Sequence, residues 1–309
     1  MLAAVPNLRQ ELSRAGVGAS EIAAACGISR YRSRFGLWLE KTGRRPPFAG
    51  NVHTRLGQLC EPHARQLYAT ATGYDVEIPP ASVFHPEVKW ARCTPDGIVL
   101  PHDRKHGMQI KCVGYFVGRR FKYEIPIEYE AQVQWEMFVM GWDRIDLAVL
   151  VGSDELAWER FVLGDITDPA AVFNASMLEI YTIARSEAAI ASLLTKATEF
   201  VAMVDEDRQP AIDDSDECAA WLRDKVRPSK VEIDGASVAP LADEFRDAHQ
   251  REKGATRALK LAKNRVLDAM TAAGANRITT PDGPIDLRID RNGKVSLHAP
   301  KAWGNPEEH

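Results

Sequence analysis

Cysteine is scarce in this chain and scattered: five residues in 309, Cys26, Cys60, Cys93, Cys112 and Cys218, with no CxxC spacing. That excludes a disulfide framework and the common cysteine-based zinc sites, and it reads as reduced thiols in a cytoplasmic protein. Long apolar runs are missing as well. No stretch approaches the ~18 uninterrupted apolar residues of a membrane-spanning helix, and no membrane association is expected. The first residues, Met-Leu-Ala-Ala-Val-Pro-Asn, lack the charged and apolar regions of a secretory signal. The histidines show no ligand spacing; His53, His63, His85, His102 and His106 read as surface or packing residues. A metal in this protein therefore has to draw on oxygen ligands, which favours magnesium or manganese. Internal repeats are absent too.

What is present is a chain with a lopsided charge. The formal net charge is −4, yet residues 1–120 carry 17 Lys and Arg against 9 Asp and Glu, and residues 121–309 carry 22 against 34. Cations gathered in the first part suit a protein that holds a polyanion. At this length a main domain with an appendage is expected, and the acidic, proline-containing stretch 205–216 marks the division into 1–204 and 205–309.

Periodicity supplies the elements. A helix opens near Gly18-Ala-Ser-Glu21 with Ser20 as its N-cap, and a second covers 35–42. A longer one runs over 52–71, with Leu56, Leu59, Cys60, Ala64, Leu67 and Tyr68 at helical spacing. Strands are expected at 75–78, from 84 or 89 to 93, at 97–100, 108–112, 146–151 and 158–162, with a helix at 129–140 between them. Helices fill 169–204, 217–225 and 241–273, and Asn292-Gly293 marks a closing hairpin. The pattern is α/β: a central mixed sheet flanked by helices, with a mainly helical C-terminal extension ending in a β-hairpin.

The chemistry gathers around Pro95-Asp96-Gly97 and, thirteen positions on, Gln109-Ile110-Lys111. Side chains alternate along a strand, so residues 109 and 111 share one face while Ile110 points into the core. An acid at a strand end, an amide oxygen and an ammonium can thus converge on one phosphate, the arrangement of a nuclease metal site with one carboxylate exchanged for an amide. Taken alone, Asp96 could equally be a turn residue of Pro-Asp-Gly. A lysine in an apolar strand is costly without a partner, which argues for a role at Lys111. Arg30, Arg32 and Arg34, interleaved with Tyr31 and Phe35, suit phosphate contacts along a nucleic-acid path.

Gly18–Glu21, Gly57-Gln-Leu-Cys-Glu61, Thr94-Pro-Asp-Gly97, Gln109-Ile-Lys111 and Tyr129-Glu-Ala-Gln-Val-Gln134 occur in an order that resembles the YqaJ-type viral recombinases. These are phage-encoded relatives of lambda exonuclease in the PD-(D/E)xK nuclease superfamily, and the resemblance covers about residues 10–200. It implies a restriction-endonuclease-like core and a magnesium- or manganese-dependent deoxyribonuclease that digests duplex DNA from 5′ ends, leaving 3′ overhangs for recombination. It further implies a homotrimeric ring, a bacterial or phage-infected host cytoplasm, and a single-strand annealing protein as partner. On this pattern Asp96, Glu61, Gln109 and the Ile110 carbonyl hold the metal, Lys111 activates water, and Gln132 supports the cluster with Tyr129 beside it. Ser20, Arg14, Thr94, Arg119 and Arg120 form a 5′-phosphate pocket, a role that hydroxyls, arginines and a helix N-terminus can fill.

Gln109 departs from the pattern, which carries Glu there. The exchange could be a tolerated natural variant, a loss of catalysis or a deliberate replacement, and an active natural variant is favoured. Two other expectations stay open: a non-catalytic DNA-end-binding protein, and a RecB-like nuclease of single strands or flaps. The missing cysteine quartet counts against the iron–sulfur form of the latter.

Overall fold

The structure is a computed structural model, and it describes residues 16–100, 105–152, 160–225, 235–281, 283–289 and 295–298. A five-stranded mixed sheet organises the first part of the chain. Its order is β2 (Asp75–Glu77), β5 (Gly97–Leu100), β6 (His106–Gly114), β7 (Arg144–Gly152) and β8 (Leu178–Ala184). Only β6 and β7 run parallel; the other neighbours are antiparallel. A parallel pair needs a crossover, and α4 (Tyr115–Phe121) with α5 (Ile127–Met140) provides it.

Alternation along β6 and β7 sorts side chains to two covered faces. Met108 and Ile110 pack with Ala148 and Leu150 against Leu56, Cys60, Ala64 and Tyr68 of α3 (Val52–Thr72). Val113, Ile145, Leu147 and Val149 pack on the other face with Val133 and Met137 of α5. A central strand pair covered on both faces reads as a nearly continuous apolar run, as Ile145–Val151 does. The outer side of α5 joins a third cluster through Ala131, Trp135 and Val139. It meets α1 (Ile22–Ala25), α2 (Arg34–Lys41) and α6 (Glu187–Asp205) there. A small sheet, β1 (Val17–Gly18), β4 (Ala91–Cys93) and β3 (Val83–Phe84), borders this layer.

One buried polar knot ties four elements. Asp146 on β7 accepts from Tyr68 Oη of α3 at 2.6 Å and from Thr182 Oγ1 of β8 at 2.7 Å. It also pairs with His106 Nε2 of β6 at 3.0 Å. Satisfying a buried carboxylate three times over fixes the register of helix and strands together.

The chain divides by its contacts into Met1–Val226 and Arg227–His309, not at 204/205. The reason is α7 (Asp216–Lys225): its Cys218 is fully buried in the third cluster, and Trp221 meets Trp38 edge-on at 6.4 Å. The second unit holds α8 (Gly235–Ala272) and an antiparallel sheet of β9 (Arg277–Thr280), β10 (Gly283–Ile289) and β11 (Val295–His298). The turn expected at Asn292-Gly293 lies outside the described residues; the strands flanking it pair as a hairpin requires, Ile289 with Val295.

Three local expectations are corrected. Residues 160–162 are helical where a strand was expected, and residues 158 and 159 lie outside the described set. Residues 178–184 form edge strand β8 within the stretch read as helical. Leu178-Glu-Ile-Tyr-Thr-Ile-Ala184 carries β-branched residues, and an exposed edge needs only one apolar face. Ser20 is not an N-cap: it sits exposed inside the short 3-10 turn Ala19–Glu21, which follows Gly18.

Candidate active site

The loop between β4 and β5 delivers Asp96 beside the middle of β6. Asp96 Oδ2 accepts from the Ile110 N–H at 2.8 Å and from Gln109 Nε2 at 2.5 Å. Gly97 makes that approach feasible, because a Cβ there would lie 2.5 Å from Val76 Cγ1 and 2.8 Å from Met108 Cε. Lys111, on the same face of β6 as Gln109, donates to Gln132 Oε1 of α5 at 2.8 Å, and its Nζ stands 5.2 Å from the Tyr129 ring centroid. Gln132 Nε2 in turn donates to Glu136 Oε1 at 3.1 Å. The direction of this amide is forced: lysine only donates and carboxylate only accepts.

From the opposite face, α3 brings Glu61 and Arg65, which lie 3.8 Å apart. Arg65 Nη1 donates to the Asp96 carbonyl at 3.0 Å. Glu61 feels both Asp96 and Lys111 electrostatically, so helix and strand contribute to one field.

The site has two layers. Asp96, Lys111, Gln132, Tyr129, Glu61 and Arg65 are half-buried, within reach of solvent. Behind them Gln109 is 4 % exposed and Glu136 is 0 % exposed. Burial raises the Asp96 carboxyl above its ordinary value, opposed by Lys111, the Ile110 N–H, Arg65 and Gln109. Glu61 is raised by burial and then by Asp96. Glu136 is raised by burial and then by Asp96, with Gln132 and Lys111 opposing. Three acids pushed upward around one lysine form a field that a cation would relieve.

Among the described residues, no three His, Cys, Asp or Glu side chains form a ready cation cage. The oxygens that could hold a cation are instead those of the Asp96 and Glu61 carboxylates, which act on each other electrostatically, and the amide Oε1 of Gln109, which is buried without a hydrogen-bond partner. Hard oxygens with few carboxylates fit a dication that keeps part of its water and takes further oxygens from a phosphate, as magnesium does.

Other expected residues are placed differently. β1 pairs in parallel with β4, Gly18 beside Arg92, so Ser20 and Thr94 follow the ends of neighbouring strands. Thr94 Oγ1 bonds Ser82 Oγ at 2.7 Å. Arg14 lies outside the described residues, and Arg119 and Arg120 sit exposed in the last turn of α4. The three arginines expected along a nucleic-acid path are held by acids: Arg30 by Glu128 at 2.8 Å, Arg32 by Glu40 at 2.5 Å, and Arg34 by Glu199 at 3.8 Å. Arg30 thereby borders Tyr129, whose hydroxyl is linked to Tyr31.

Sequence reasoning missed Arg65 and Glu136. Both were signalled by spacing: Arg65 is i+4 from Glu61, and Glu136 extends the stripe Tyr129, Gln132 at helical intervals.

Residues 10–143 match the sequence model of the YqaJ-like viral recombinase domain. A curated relative, the uncharacterized protein YqaJ of Bacillus subtilis (strain 168), is 26 % identical over 156 residues, 49 % of this chain and 48 % of that protein. The match thus spans about half the length of that relative. Among solved structures, LHK-Exo in complex with dAMP is similar at 22 % identity, with a TM-score of 0.49 over 65 % of this chain and 94 % of that one. The alkaline exonuclease LHK-Exo from Laribacter hongkongensis gives 21 % and 0.49 over 71 % and 97 %. A phage related exonuclease from Haemophilus somnus 129PT gives 16 % and 0.47 over 62 % and 94 %. Residues 10–143 of this chain are thus similar to the YqaJ-like viral recombinase domain.

Proposed function

We propose that the protein is a divalent-cation-dependent exodeoxyribonuclease that degrades duplex DNA from 5′ ends and leaves 3′ overhangs for recombination. The observation that carries the reading is that Asp96, from the loop before β5, is bonded to Gln109 and Ile110 in the middle of β6, with Lys111 on the same face as Gln109 and Glu61 within electrostatic reach of both Asp96 and Lys111. The similarity of residues 10–143 to the YqaJ-like viral recombinase domain supports nucleic-acid chemistry at this cleft.

A magnesium or manganese ion held by Asp96, Glu61, Gln109 Oε1 and the Ile110 carbonyl would polarise the scissile phosphate and make bound water nucleophilic. The chain's own groups do the remainder. Lys111, fixed by Gln132, places an ammonium where charge develops on the phosphate and orients the attacking water. Arg65 braces the backbone carbonyl of Asp96, so the carboxylate does not swing away when substrate enters. Ser20 and Thr94, with Arg119 and Arg120, are the groups we assign to a 5′-phosphate, and a ring-shaped homotrimer is the assembly that would keep the enzyme on its track.

A second reading, a DNA-end-binding protein without catalysis, draws on the neutral side chain at 109. Incubation with linear duplexes carrying 5′-phosphate or 5′-hydroxyl ends, and with circular duplex, tests both in magnesium and in manganese. The nuclease reading expects digestion of linear duplex, fastest with 5′-phosphate, and none of circles. Retention of intact ends in both metals would establish the second.

A further inference from the structure

Three glutamates are buried in the described part of the first unit, and two have cationic partners. Glu21 is held by Lys41 at 2.7 Å and Arg92 at 3.3 Å, and Glu128 by Arg30 at 2.8 Å. Glu136 is the most deeply buried of them, and among the described residues no lysine, arginine or histidine lies within salt-bridge distance of it. Its Oε1 accepts one hydrogen bond, from the neutral amide of Gln132; its Oε2 is buried with no partner. A carboxylate placed there for stability alone would be a poor choice, because an apolar side chain of similar size would avoid the desolvation cost.

The surroundings explain its position. Gln109 Oε1 is a second buried oxygen without a partner, and it faces the same α5 side of the sheet as Lys111. The ionisable groups that act on Glu136 are Asp96 and Lys111, the two ends of the proposed centre. We infer that Glu136, delivered from α5, gives up its proton when a divalent cation binds and so supplies the negative charge that the site forgoes by carrying Gln at position 109. The inference rests on the nuclease reading for its purpose, but the charge itself can be measured without DNA. It also accounts for a neutral residue at 109 beside otherwise intact motifs: the strand keeps an oxygen, and the helix keeps the charge.

Manganese is the probe. Its affinity is measured by calorimetry on the full chain for wild type, E136Q, Q109E and the double variant E136Q/Q109E. E136Q keeps an oxygen that can accept from Gln132 and removes only the charge. The inference expects E136Q to bind manganese about tenfold or more weakly, in the range seen when groups supporting a metal site are altered. Q109E in that background should restore affinity to within about threefold of wild type, whereas Q109E alone should gain less than about threefold. Wild-type affinity in E136Q, or no recovery in the double variant, overturns the inference, as does a wild type that binds no manganese. Should E136Q fail to fold, Q109E alone decides: a gain of about tenfold or more would mean that the native site lacks the charge and that Glu136 does not supply it. If the charge exchange holds while no DNA is cut, the inference stands and the nuclease reading falls.

Discussion

At the scale of single residues, the site is a balance between one lysine and several acids. Lys111 is held by an amide and not by a carboxylate, so its charge stays available to a substrate. Lys111→Met should lower turnover of linear duplex by about 100- to 1000-fold, the usual cost of removing a group that stabilises developing charge. Gel kinetics would show it, with the cation-induced rise in melting temperature retained. Asp96, Glu61 and Glu136 all sit above their ordinary values, so the folded protein holds protons that the unfolded chain has released. Their contribution is therefore most favourable below the unfolded carboxylate value of ~4, and stability falls as pH rises through the raised folded values. Without a divalent cation the melting temperature should drop between about pH 5 and about pH 8. Saturating magnesium should oppose that drop, adding about 2.7 kcal/mol at a concentration ~100 times its dissociation constant. Calorimetric melts at both pH values check the sign. A cation effect equal at the two would mean that the acids are not its ligands.

At the scale of elements, the sequence disclosed what short-range pattern encodes. Alternation placed Gln109 and Lys111 on one face and Ile110 on the other, and the stripe Leu56, Cys60, Ala64, Tyr68 marked the buried side of α3. Long-range chemistry was hidden. His106 looked like a packing residue, and only β6 pairing with β7 shows that it shares Asp146 with Tyr68 and Thr182. Glu136 was not singled out: its spacing continues the stripe of Tyr129 and Gln132, but spacing alone does not say which side of α5 faces the acid of another loop. Strand β8 was lost in a helical reading, since an edge strand with one covered face leaves a weak signal over seven residues. The Gly141 C-cap, at φ 69°, ends α5 one residue after Met140 and so sets where β7 begins. The Asp146 knot gives a clean test of element docking. Tyr68→Phe removes one of three partners of a buried carboxylate and should cost about 1–2 kcal/mol. Urea titration measures it, and an unchanged midpoint would show that the knot does not hold α3 to the sheet.

At the scale of the whole molecule, the family match ends at residue 143, yet the first compact unit continues to Val226. Its last helix, α7, is joined to α2 through Ser215 with Ser33, Glu217 with Arg45, and Trp221 with Trp38. A chain cut after 226 should keep the manganese-dependent melting shift, whereas one cut after 204 uncovers Trp38 and the Cys218 site and should lose about 3 kcal/mol. Thermal melts of the two fragments compare them directly. The central claim, that this cleft hydrolyses DNA from 5′ termini, is tested most directly by a linear duplex labelled at the 5′ end of one strand and the 3′ end of the other. In magnesium, the 5′ label should leave first as mononucleotide while the 3′ label stays on long strands, and a chelator should stop both. Equal loss of the two labels, or loss of neither in magnesium and in manganese, would contradict the account.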